Sequence, residues 1–161
     1  MYWNMRPVRI QGVLVSVRGV GILLLGAAGV GKSMVALSLM RNGHRLIADD
    51  LVEIFPGPEG QVFGRGVEEE VRIEVRGLGI YHAGSIFPDG AARSSPIDLV
   101  VELDTYDPPR DLGRTRPETG ELRLLDRNLL KVRVPVPDGA DASLLVEIVA
   151  RLFEQKGAIV P

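Results

Sequence analysis

Apolar positions along this chain fall mostly in short alternating or continuous runs, and only two stretches carry the spacing of a helix. Residues 8–17 read as one strand with a bulge at Gly12, and residues 21–25 as a buried strand. In the stretch 34–42, Val35, Ala36, Leu39 and Met40 make one helical stripe, with Gly43 as the stop. Residues 45–50 read as a short buried strand ending in two carboxylates, and 51–55 as another, closed by the proline- and glycine-rich turn 56–60. Residues 71–75 alternate strictly, so one face of that strand meets water. Gly77 and Gly79 then mark a special backbone path. Residues 88–96 read as a mobile loop, 97–103 as a strand buried on both faces, and 105–120 as a long functional loop. Strands at 121–125 and 130–134 pair around residues 126–128. Finally, Leu144, Leu145, Ile148, Val149, Leu152 and Phe153 make one apolar helical face, ended by Gly157. This order is not the regular alternation of a doubly wound sheet. It predicts a strand-rich α/β domain, and with no repeat or linker in sight residues 1–161 read as one domain.

The segment between the 21–25 strand and the following helix is Gly26-Ala27-Ala28-Gly29-Val30-Gly31-Lys32-Ser33. Strand, Gly-x-x-x-x-Gly-Lys-Ser, helix is the context of a phosphate-binding loop. The glycines let backbone N–H groups turn inward and let a phosphate approach closely. The helix start adds unpaired N–H groups and the positive end of its dipole. Lys32 can reach the β- and γ-phosphates, and the Ser33 hydroxyl is placed to ligate Mg²⁺. Asp49 and Asp50 end the next strand, where one carboxylate can hold Mg²⁺ and the other act as base, on opposite faces of the strand. Glu74 is a further metal-ligand candidate. His44, just past a helix C-terminus, suits that position as a cation, and His82 lies near a candidate site segment.

Composition narrows the classes. The chain of 161 residues is 45% hydrophobic and 25% charged with a net charge of −2, which points to neither nucleic acid nor an anionic membrane as partner. Without cysteines there is no disulfide framework, thiol catalysis or Cys-based zinc site. The apolar runs are too short to span a bilayer and the first residues lack a signal peptide's apolar core, so a cytoplasmic location is expected.

Three stretches, 19–33, 41–54 and 73–80, together resemble the catalytic domain of bacterial HPr kinase/phosphorylase, the third (Ile-Glu-Val-Arg-Gly-Leu-Gly-Ile) most specifically. The resemblance implies a P-loop kinase fold of the phosphoenolpyruvate-carboxykinase-like type and an ATP- and Mg²⁺-dependent serine kinase acting on the phosphocarrier protein HPr. It also implies a homo-oligomer, a hexamer in the family. On it, Gly26 to Ser33 cradle ATP, Ser33 and Glu74 ligate Mg²⁺, Lys32 acts on the transferred phosphoryl and Asp50 accepts the acceptor's proton. Arg110 is the counterpart of a catalytic arginine, with Arg114 as the alternative. Two departures stand out. Gln11 replaces a family histidine counted among its catalytic residues. The loop Pro135-Val136-Pro137-Asp138-Gly139-Ala140-Asp141 lacks both basic residues of a family loop needed for dephosphorylation. Phosphorolysis is therefore expected to be weak or lost, because negative charge opposes a second anion. The family's N-terminal domain is expected to be absent. A kinase for another hydroxyl acceptor, and a nucleotide-binding sensor or docking module without turnover, are the other readings.

Overall fold

The computed structural model describes residues 7–155 and 157–159. In chain order the elements are β1 (Val8–Gln11), β2 (Val13–Val17), β3 (Val20–Leu25), α1 (Lys32–Arg41), β4 (Arg45–Ala48), β5 (Leu51–Pro56), β6 (Val62–Gly66), β7 (Arg72–Val75) and β8 (Gly79–His82). There follow α2 (Ala83–Ile86), β9 (Ser94–Pro96), β10 (Leu99–Thr105), α3 (Pro108–Asp111), β11 (Glu118–Leu124), β12 (Arg127–Val136) and α4 (Ala142–Glu154). Six strands form the main sheet in the order β11-β12-β10-β3-β2-β4, and β1-β5-β6-β9 form a second. The strands β12, β10 and β3 run parallel at the centre of the main sheet, while β7 and β8 form a separate hairpin.

Alternation along the central strands decides the layers. Ile22 and Leu24 of β3, and Leu99, Val101 and Leu103 of β10, share a core with Val35, Ala36, Leu39 and Met40 of α1 and Val146 and Ala150 of α4. Leu23 and Val100 point the other way, into a second core with Val52, Ile54, Val62 and Ile97. The main sheet is thus sandwiched between two helices and the smaller sheet, and Leu23 and Leu24 are fully buried on opposite sides. Gly21 lets the sheets touch: a Cβ there would stand 1.6 Å from the Pro96 carbonyl oxygen. Its main chain also exchanges bonds with Asp98, donating to the carboxylate at 2.9 Å and accepting from the backbone N–H at 2.8 Å.

Several expectations shift. The 8–17 strand is two strands in different sheets, and Gly12 is a crossing point rather than a bulge. The 45–50 strand stops at Ala48, and the chain crosses sheets again at Asp49 and Asp50. Asp50 takes a left-handed φ of 72°, so the two carboxylates are set by a turn and not by strand alternation. The 88–96 loop is pinned: β9 pairs with β6, Ala91 bridges Leu46, and Ser95 is buried. The 105–120 loop contains α3 and the start of β11. The α4 face is rotated. Its small residues Ser143 and Ala150 and Val146 pack inward, which allows close approach to the sheet, while Leu144 and Ile148 stay exposed. Gly157 lies beyond the last helical residue, Glu154.

Candidate active site

The phosphate loop leaves the carboxyl end of β3 and enters α1 through Gly31, whose φ of 102° only glycine adopts readily. At Gly26 a Cβ would meet the Leu103 carbonyl oxygen at 2.5 Å, so the loop starts hard against the end of β10. By contrast, nothing approaches the positions a Cβ would take at Gly29 and Gly31. The open side of the loop is therefore free for a ligand. Among the described residues no side chain caps α1, which leaves its first N–H groups available to an anion. The Lys32 ammonium folds back onto the carbonyls of Gly26 (2.7 Å) and Ala27 (3.2 Å), so it sits over the loop's concave face.

The sheet crossings bring the remaining groups to this loop. Gly12 N–H donates to the Asp50 carbonyl at 2.9 Å, tying one crossing to the other. A cleft of about 880 Å³ results, lined by Gln11, Gly26, Ala28, Gly29, Gly31, Lys32, Ser33, Asp49, Asp50 and Glu74 among others. The Ser33 hydroxyl donates to Asp49 at 2.9 Å. Burial pushes the Asp49 carboxyl above the ordinary range; the Ser33 hydrogen bond opposes this, and repulsion from Asp50 and Glu74 adds to it. Asp50 is exposed to the cleft. Ser33, Asp49 and Glu74 are hard oxygen donors, the kind Mg²⁺ takes. Among the described residues no three His, Cys, Asp or Glu side chains form a metal cage of their own. Since Mg²⁺ is commonly held by one or two carboxylates plus substrate phosphates, this donor set fits a metal that arrives with a nucleotide.

Other predicted residues lie elsewhere. Arg110 does not line the cleft; it sits on α3, with Nη2 donating to Glu118 at 2.7 Å and Nη1 3.8 Å from Asp104. Arg114 is exposed in the following turn. His44 faces Glu147 of α4 at 3.2 Å and His82 faces Glu70 at 3.5 Å, so neither reaches the cleft. The 135–141 turn is also absent from the lining, and Asp141 caps α4 by accepting from Ser143 and Leu144 N–H.

Of the opposite wall, Arg76 and Ile80 fall within the 73–80 stretch singled out from the sequence, whereas Gly66, Val67, Glu68 and Arg72 were missed. Arg72 carried a legible signal, a cation at the start of the 72–75 alternation. The 66–68 stretch carried none, since only the pairing of β6 with β5 brings it there.

Among the described residues no helix is long and apolar enough to cross a membrane. The sequence model of the family described as HPr Serine kinase C-terminal domain matches residues 5–160. An HPr kinase/phosphorylase of Geobacillus sp. (strain WCH70) is 42% identical over 149 residues, 91% of this chain and 48% of that protein. One from Listeria monocytogenes (serotype 4a, strain HCC23) is 39% identical over 151 residues, covering 92% and 48%. The chain thus spans about half the length of the curated relatives it matches. The solved structure of the Hpr(Ser) kinase/phosphatase from Coxiella burnetii superposes with a TM-score of 0.82 over 91% of this chain and 90% of that one, at 24% identity, a likeness of fold. The match over nearly the whole sequence places this chain in the HPr serine kinase C-terminal domain family.

Proposed function

We propose that this protein is an ATP- and Mg²⁺-dependent kinase of the HPr kinase type, transferring a phosphoryl group to a serine hydroxyl of HPr or an HPr-like acceptor. The observation that carries the reading is the single cleft that joins Lys32, Ser33, Asp49, Asp50 and Glu74 to an open phosphate loop. In this reading the loop amides and Lys32 bind the phosphates and orient them. Mg²⁺, held by Ser33 with Asp49 or Glu74, supplies charge neutralisation at the phosphate oxygens when bound. Asp50, exposed where Asp49 is partly buried, accepts the proton of the acceptor hydroxyl, and Arg110, off the cleft on α3, stands as the counterpart of the family's catalytic arginine on the likeness of its segment. Assembly as a homo-oligomer in the cytoplasm belongs to the same reading.

Phosphorolysis is weak or lost on this account. Gln11 lines the cleft, and an amide neither titrates nor carries charge. The acidic 135–141 turn lends less support than its sequence promised, because it lies off the cleft and Asp141 is engaged as a helix cap. Incubation with radiolabelled ATP, Mg²⁺ and either HPr or a panel of other hydroxyl acceptors tests the assignment. Acid-stable label on an HPr serine is the expected result. Label only on another acceptor would move the protein to a different kinase class, and nucleotide binding without any transfer would favour a sensor.

A further inference from the structure

Outside the cleft, the largest unexplained arrangement is a buried guanidinium. Arg133 lies on β12 between β10 and β11, and only 5% of its side chain is exposed. All its edges are used. Nη1 and Nη2 form a fork onto Asp111 at 2.6 and 3.2 Å, Nε donates to Asp104 at 2.8 Å, and Nη1 also reaches Glu118 at 3.3 Å. Two of these carboxylates are also the partners of Arg110, the half-exposed guanidinium next to Asp111 on α3. The group stands at the carboxyl end of β10, and Leu103, beside Asp104, is the residue whose carbonyl abuts Gly26 of the phosphate loop.

We propose that Arg133 is a positioning residue of the phosphoryl-transfer site: by occupying Asp111 and Asp104 it holds α3 on the sheet and keeps the Arg110 guanidinium at the exposed edge of this cluster, at the end of β10 that abuts the phosphate loop. The charge count gives the reason. Three carboxylates surround two guanidinium groups, and Arg133 takes Asp111, the one of the three that is buried. Without it, Arg110 is the nearest cation, already within 3.8 Å of Asp104 and 2.7 Å of Glu118. Asp111 would then be a desolvated carboxylate without a guanidinium partner, which attracts whichever cation can reach it, so Arg110 moves inward and is lost to the substrate. Asp111 anchors the other side, since its carboxylate also accepts the Asp107 N–H at 2.8 Å and so shapes the α3 turn itself.

This inference rests on the assignment of Arg110 in the proposed function, and the test separates the two. Arg133→Met is compared with Arg133→Met/Asp111→Asn, which removes both buried charges and so keeps the fold within reach if the single variant is unstable. Two quantities are read in each. One is the rate at which phenylglyoxal modifies Arg110, followed by peptide mass spectrometry without any turnover. The other is transfer kinetics alongside MgATP affinity. In Arg133→Met, Arg110 modification is expected to slow several-fold, with kcat reduced about tenfold and MgATP affinity nearly unchanged; in Arg133→Met/Asp111→Asn, where no buried carboxylate is left unpaired, modification should return towards the wild-type rate. Arg110→Ala added to Arg133→Met should cost little more than Arg110→Ala alone. A wild-type Arg110 modification rate in Arg133→Met overturns the proposal, as do slowing in Arg133→Met/Asp111→Asn and losses that multiply in the Arg110→Ala/Arg133→Met protein. If the wild type transfers no phosphoryl group, the kinase assignment fails, and the modification rate alone still decides whether Arg133 positions Arg110.

Discussion

Asp49 and Asp50 are neighbours with opposite surroundings. Asp49 is partly buried and receives the Ser33 hydroxyl, whereas Asp50 is exposed in a left-handed turn that strains a non-glycine residue by roughly 1 kcal/mol or more. Such strain persists because the chain must cross between sheets there, with Gly12 bonded to the Asp50 carbonyl. Asp50→Asn is expected to keep MgATP affinity within a few-fold while kcat drops about 10²-fold, the scale of a lost general base. Asp49→Asn should instead weaken the coupling of Mg²⁺ to nucleotide, seen by titrating binding at several metal concentrations. The reversed pattern would exchange their roles. Gln11 adds an expectation in pH: Gln11→His should introduce a titrating group into the pH–rate profile between about 5 and 8, and an unaltered profile would show that position 11 does not govern proton transfer. The sequence exposed these residues through adjacency and motif. It could not expose their division of labour, because that depends on a backbone turn and on burial by distant strands.

At the scale of elements, α3 is the part least legible in advance. Three prolines and scattered arginines within 105–120 suggested a loop, but Asp111 is buried and fixes the segment through Arg133. The one available hint was Lys131 and Arg133 alternating with Val132 and Val134, which puts two cations on one face of a central strand. The Arg133 guanidinium and the Asp107 N–H pull the Asp111 carboxyl down to about 2, from an ordinary value of 3.8. A folded-state pKa below the unfolded one stabilises the fold at pH above about 4, and that contribution is lost as pH falls through about 2. Thermal unfolding between pH 5 and 2 should therefore lose stability in the wild type and lose less in Asp111→Asn; identical slopes would contradict the ion pair. In α4 the apolar spacing predicted a helix correctly and Leu145, Val149 and Phe153 do pack on the core, but the stripe is off-centre: Leu144 and Ile148 stay exposed while Ser143, Val146 and Ala150 are buried. Asp141→Ala should cost about 1 kcal/mol in denaturant melts by removing the cap.

The whole molecule is a three-layer body whose cleft opens where the chain passes twice between its sheets. The strand-rich α/β class, the central buried strands and the phosphate loop were all readable from alternation and one motif. Which strands belong to which sheet was not, since the alternating 8–11 run and the nearly continuous apolar 13–17 run both read as strand and only Gly12 divides them. Gly21→Ala probes that arrangement: its Cβ would overlap the Pro96 carbonyl between the sheets, so a loss at or above the upper end of the roughly 1–3 kcal/mol usual for overpacking is expected. The central claim, that Lys32 serves phosphoryl transfer from ATP, is tested most directly by Lys32→Ala. Calorimetry with MgATP is paired with transfer of labelled phosphate to an HPr serine by the same preparation. Transfer should vanish, with nucleotide affinity reduced, because the cation that lies over the loop is removed. Wild-type binding together with wild-type transfer in Lys32→Ala would contradict the account.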